Sequence, residues 1–208
     1  MNIVIEGMDF AGKSTVCTRL AAQLTATGIT VRRSTTSLTG GIMPTLIEAV
    51  YRAPAWWPDR LRSTLYHLAY LPDLVPGHGR NREEQGLALQ ESYVCRVWAY
   101  DVAHGRRTLA RVACWLTVRL HRRVDLAVLL QCPYPERAQR YRACGVVCGR
   151  DERRFAPQQR PVQEALEAAL ARLAGRCGYR VIDTSGRSAA EVAEEITGLI
   201  EQVRACRA

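Results

Sequence analysis

Residues 2–15 read NIVIEGMDFAGKST, and this stretch decides the fold. Residues 2–6 form a short apolar run suited to a buried strand. Residues 7–14 then fit the phosphate-loop pattern G-x-x-x-x-G-K-[ST]. Gly12 opens a helical pattern that runs to about residue 27 and stops at Gly28. Strand, glycine loop and helix in this order curl successive backbone N–H groups toward an anion, and the helix dipole favours the same charge. The pattern implies a bound nucleoside triphosphate. Gly7, Phe10, Ala11, Gly12 and Thr15 are expected around its phosphates, with Lys13 reaching the β- and γ-phosphates and Ser14 ligating Mg2+. Asp9 is the unusual member. A carboxylate beside donor phosphates would repel them, so it is read as a hold on the substrate that accepts phosphate; the alternative is a loop aspartate facing solvent.

The rest of the chain alternates strands with helices. A strand is expected at 30–33, helices at 44–52 and 61–71, and a strand at 86–91, where GLALQE ends in a carboxylate. Helices follow at 94–104 and 106–122. Residues 124–132, VDLAVLLQC, are apolar nearly throughout and suit the centre of a parallel sheet. Pro135 starts a helix, residues 144–155 make an arginine-bearing loop, and a helix covers 161–173. A strand at 179–183 and a capped amphipathic helix close the chain. This order predicts an α/β fold: a three-layer α/β/α sandwich on a parallel sheet of about five strands, forming a single domain over residues 1–208.

Composition bounds the setting. The formal charge is +9, and Lys13 is the only lysine among 29 basic residues. The excess admits polyanionic partners, either nucleotides or nucleic acid. Arg106, Arg107, Arg111, Arg119, Arg122 and Arg123 fall along one helix, read as a solvated basic face with a binding surface as the alternative. The eight cysteines are expected as free thiols; Cys144 and Cys148 stand as C-x3-C, but no second Cys or His pair at zinc-ligand spacing follows, so no zinc site is expected. No apolar run reaches the ~20 residues of a membrane helix and no secretory leader is visible, so a cytoplasmic location is expected.

Residues 3–15 resemble the opening of thymidylate kinases, whose loop typically reads I-E-G-x-D-G-x-G-K-[ST]-T. The resemblance implies a P-loop kinase fold, ATP and Mg2+ as cofactors, a small-molecule phosphate acceptor and a tendency to dimerise. It also implies that Asp9 contacts a sugar hydroxyl of the acceptor. Residues 91–101, ESYVCRVWAYD, are similar to the family's D-R-Y-x-x-S-x-x-A-Y-Q: Tyr93, Ala99 and Tyr100 match, and Glu91 keeps a carboxylate suited to Mg2+ or its bound water. Residues 132–155 resemble the P-x-E helix and arginine-rich lid, which implies a lid at about 144–156 with Arg150, Arg153 and Arg154 as the catalytic candidates. Residues 179–196 resemble the last strand and helix. An acceptor-binding region is implied at about 42–104.

The departures fall on the acceptor side. Ser92 stands where the family's arginine grips the acceptor phosphate, and RRSTTSLTGG (32–41) replaces R-E-P-G-G-T. LYHLAYLPD (65–73) offers Tyr66, His67 and Tyr70 but lacks the arginine of F-x-A-D-R. Arg96 replaces a small serine, and Asp101 a glutamine. The expected acceptor set is therefore Asp9, Phe10, Tyr66, His67, Glu91, Arg96, Trp98 and Tyr100, with Trp56, Trp57 and Tyr70 as further aromatics that could equally belong to the core. Two readings stay open. Arg96, one helical turn beyond Ser92, replaces the phosphate grip and the acceptor is a nucleoside monophosphate or a modified one. Alternatively the acceptor carries no phosphate and is a nucleoside or another small alcohol, with Asp9 or Glu91 as base or orienting group. A regulatory NTPase or nucleic-acid binder is the third class, and against it stands the absence of both N-K-x-D and a Walker B signature.

Overall fold

The computed structural model describes residues 1–35, 43–54, 56–74, 86–145, 152 and 154–207. Five parallel strands form its sheet: β1 (Asn2–Gly7), β2 (Val31–Ser34), β3 (Leu87–Glu91), β4 (Leu126–Gln131) and β5 (Arg180–Asp183). Their spatial order is β2-β3-β1-β4-β5. β1 is thus central, with Ile5 opposite Glu91 of β3 on one side and Val128 of β4 on the other. The chain winds to one side of β1 and then crosses to the other, which leaves a crevice at the carboxyl ends of the strands. The phosphate loop and Glu91 both emerge there.

Alternation along the strands builds two cores. Ile3 and Ile5 of β1, with Leu126, Val128 and Leu130 of β4, face α1 (Lys13–Ala26) and the last helix, α8 (Ala189–Ala205). Ala127 and Leu129 face the opposite layer: α4 (Val94–Ala103), α5 (Arg107–His121) and α7 (Arg160–Cys177). The remaining helices are α2 (Met43–Arg52), α3 (Asp59–Ala69) and α6 (Tyr134–Ala143). α2 packs on α3, and α3 on α4, so this pair forms a wall beside the crevice. The expected three-layer sandwich is present, with element ends moved by a few residues. The largest extension is α7, whose buried face carries on through Leu173 and Ala174. Among the described residues no helix is long and apolar enough to cross a membrane.

α8 begins with reciprocal capping: the Glu191 N–H donates to Ser188 Oγ (3.2 Å), and the Ser188 N–H to Glu191 Oε2 (2.8 Å). Ser188→Ala is expected to lower stability by ~1 kcal/mol in urea unfolding, without moving the m-value.

Candidate active site at the phosphate loop

Two glycines shape the loop. A Cβ on Gly7 would lie 2.7 Å from the Leu130 carbonyl oxygen, so only glycine lets β1 run this close to β4 at its end. Gly12 has φ +96°, and a Cβ there would meet only Arg140 Nη1, 3.8 Å away, which leaves an open cradle at the start of α1. Ala11 lies in the core, and its carbonyl accepts from Thr184 Oγ1 at 3.2 Å. Ser14 and Thr15 are exposed on the first turn of α1.

Lys13 is buried, with Nζ donating to the Met8 carbonyl at 2.9 Å. Burial and the nearby Arg96 push its amine down to about 8, against the pull of Asp9, Glu6 and Glu91. Ser14 Oγ donates to Glu91 Oε1, and Arg33 Nη2 approaches Glu91 Oε2 at 3.4 Å. Ser14 and Glu91 offer oxygen alone, the donor set that suits Mg2+. Both were expected near Mg2+ from the sequence; the structure brings them together, their 77-residue separation closed by the pairing of β1 with β3.

Asp9 does not face solvent. Its carboxylate pairs with Arg96, and its Oδ2 lies 2.6 Å from Arg154 Nη1. Burial favours the neutral acid, but Arg96, Arg154 and Lys13 outweigh it and hold the carboxyl well below the usual carboxylate range. Burial alone would depress the Arg96 guanidinium; Asp9 reverses this and raises it. Arg154 is therefore at the loop; Arg150 and Arg153 lie outside the described residues.

Beside Asp9 opens a cavity of about 760 Å³. Asp9, Tyr66, Arg96 and Tyr100 line it among the residues expected there, and Tyr70 joins them. The other four are placed elsewhere. Trp98 is buried against α5 and α7, its Nε1–H donating to the Ala110 carbonyl at 2.9 Å. His67 is buried with Nδ1–H on the Ser63 carbonyl at 2.7 Å, and its burial lowers its pKa. Phe10 turns its ring toward Tyr141 and Phe155. Glu91 sits with Ser14 rather than in the cavity, and Trp56 stands out in solvent.

Sequence reasoning missed Arg62, Arg106 and Arg140. Arg62 and Tyr66 share a helix face at i, i+4, the spacing that could have flagged it. Arg62 Nη2 donates to the Ala53 carbonyl at 2.9 Å, while its buried Nε has no partner among the described residues. Arg106 belongs to the expected basic face, yet it turns inward to Asp101 (3.2 Å) and Asp59 (3.0 Å). Arg140 backs the loop, with Nη1 3.4 Å from the Phe10 carbonyl and Nη2 2.7 Å from Glu136 Oε1. Asp101, expected near the acceptor, is fully buried and accepts from Ser63 Oγ at 2.6 Å, which ties α3 to α4 behind the cavity wall.

No protein-family model matches the chain, and no curated protein matches it. Among solved structures it is similar to the thymidylate kinase from Candida albicans, at 17% identity and a TM-score of 0.67, over 98% of this chain and 92% of that one. At that identity the likeness establishes the fold.

Two outcomes follow from the geometry. Binding of sulfate, an anion with no proton to exchange in this range, is expected at pH 8 to take up about half a proton as Lys13 is drawn fully into its charged form, and to weaken as pH rises further. Calorimetry in two buffers of different ionisation enthalpy reads this, and equal heats in both would contradict it. Asp101→Ala removes the buried acceptor of Ser63 Oγ and one of the two carboxylates paired with Arg106, Asp59 remaining, and is expected to cost ~1–3 kcal/mol in chemical unfolding.

Proposed function

We propose that this protein is an ATP-dependent phosphotransferase of the thymidylate kinase type, and that its acceptor is a nucleoside monophosphate or a modified relative. The observation that carries this is the position of the cavity, which meets the phosphate loop at Asp9, where Arg96 and Arg154 converge. Donor phosphates on the loop and an acceptor in the cavity would then be neighbours.

Charge favours a phosphorylated acceptor over a neutral alcohol. Four arginines line the cavity, Arg62, Arg96, Arg106 and Arg154, against Asp9 and Asp59. Asp101 behind the wall offsets Arg106, so a net positive field remains for an anion. Proton chemistry agrees. Two arginines hold Asp9 ionised and make it too weak a base to take an alcohol's proton. A phosphate monoester, with its second pKa near ~6, presents an attacking oxygen that is already ionised. Asp9 then orients rather than abstracts.

In the reaction, a bond forms from the acceptor oxygen to the γ-phosphorus as the bond to the bridging oxygen breaks, and ADP leaves. Lys13 and the loop N–H groups would hold the donor phosphates, and Arg154 would meet charge spreading over the equatorial oxygens. Ser14 and Glu91 would hold Mg2+, which would supply neutralisation of charge on the donor phosphates. Tyr66, Tyr70 and Tyr100 offer aromatic area for a base.

ATP consumption against a panel of nucleoside monophosphates, nucleosides and simple alcohols tests the proposal, with Lys13→Ala as the blank. A monophosphate is expected to outpace its parent nucleoside by ~100-fold or more, and Lys13→Ala to lose ~10³-fold. Preferred turnover of an unphosphorylated alcohol would overturn the acceptor assignment.

A further inference from the structure

Phe10 has φ +64°, in a left-handed region that residues with side chains rarely adopt and that glycine adopts freely. Something must hold it there. Its carbonyl lies 3.4 Å from Arg140 Nη1, and its ring meets Tyr141 of the same helix edge-on, with centroids 5.5 Å apart. The ring also meets Phe155 edge-on at 5.3 Å, and Tyr141 and Phe155 stack on each other at 4.7 Å. Edge-to-face contact with a stacked pair is a favoured aromatic geometry.

The neighbouring residues make a parallel contact. Asp9 precedes Phe10 and pairs with Arg154, which precedes Phe155. Two successive residues of the phosphate loop thus dock on two successive residues ahead of α7, one pair ionic and one aromatic. An arginine on a flexible stem gives up rotamer freedom each time it is fixed. Here an aromatic contact one residue away fixes the backbone that carries it.

We propose that Phe10 is a positioning residue: its ring, seated on Tyr141 and Phe155, holds the Arg154 guanidinium at the phosphate loop before substrates arrive. The inference rests on the phosphotransferase reading for its catalytic consequence, whereas the coupling of Phe10 to Arg154 stands on geometry. The ring fills a position where glycine would suit the backbone better, and the contacts with Tyr141 and Phe155 offset that strain. Arg154 is thereby oriented in advance, as stabilisation of developing charge requires.

Phe10→Gly separates positioning from packing, because it relieves the backbone while removing the ring. It is expected to lower kcat by ~10-fold with KM for ATP changed by less than ~2-fold, and to leave the melting temperature near that of the parent. Phe10→Tyr keeps a ring and is expected to retain activity. Arg154→Ala sets the floor, and adding Phe10→Gly to it is expected to cause no further loss. Rate losses that multiply in the double variant, or a Phe10→Gly enzyme at the parental rate, would overturn the proposal. A double-mutant unfolding cycle between Phe10→Gly and Arg154→Ala reads the same coupling without catalysis. Non-additive unfolding in a protein that transfers no phosphate would sustain the clasp and sink the kinase reading; additive unfolding in an active enzyme would sink the clasp alone.

Discussion

The Glu6 carboxylate is the point on which the site depends. It is buried at the end of β1, accepts from the Gly7 N–H at 3.1 Å, and accepts from the Tyr93 N–H at 2.9 Å. One side chain thereby joins the first residue of the phosphate loop to the first turn of α4. Burial raises its pKa, and Lys13, Arg96 and the two backbone N–H groups work against that rise. Between β3 and α4 the chain turns at Ser92, with φ +62°, and the Ser92 carbonyl accepts from Gln90 Nε2 at 2.7 Å. The turn aims α4 so that Arg96 reaches Asp9. The phosphate loop and the cavity wall are in this way joined through one side chain.

From that junction the chemistry follows. Asp9 of the loop is shared between Arg96 on the cavity wall and Arg154 ahead of α7, so three separate parts of the chain meet at one carboxylate. An aspartate so held is a poor base and a good anchor. The arginine that the resemblance placed at Ser92 is not restored at that position. Cationic charge instead comes from Arg62 on α3 and Arg96 on α4, one helical turn from Tyr66 and Tyr100 respectively.

Much of the fold was legible because local signals and global architecture agree. The apolar run of β4, the glycine loop and the Ser188 cap are each short-range patterns that survive folding unchanged. The nearness of Ser14 and Glu91 was legible for a related reason: each ends or follows a strand at the carboxyl end of the sheet. What failed was side-chain destination on α3 and α4. Periodicity places Trp98 and Tyr100 on one helix but does not say that Trp98 meets α5 and α7 while Tyr100 meets the cavity. His67 and Asp101 failed similarly, since both were polar residues near the acceptor in sequence and became buried partners of Ser63. Arg106 looked like a solvated charge, and only the approach of α3 showed that it would turn inward.

A crystal structure with a non-hydrolysable ATP analogue, Mg2+ and the best monophosphate of the panel tests the central claim most directly. The account predicts the analogue's phosphates on the N–H groups of the loop, with the acceptor's attacking oxygen ~3–3.5 Å from the γ-phosphorus, beside Asp9. Its monophosphate would then contact the Arg96 or Arg62 guanidinium. A monophosphate found outside the cavity, or an acceptor oxygen far from the loop, would contradict it.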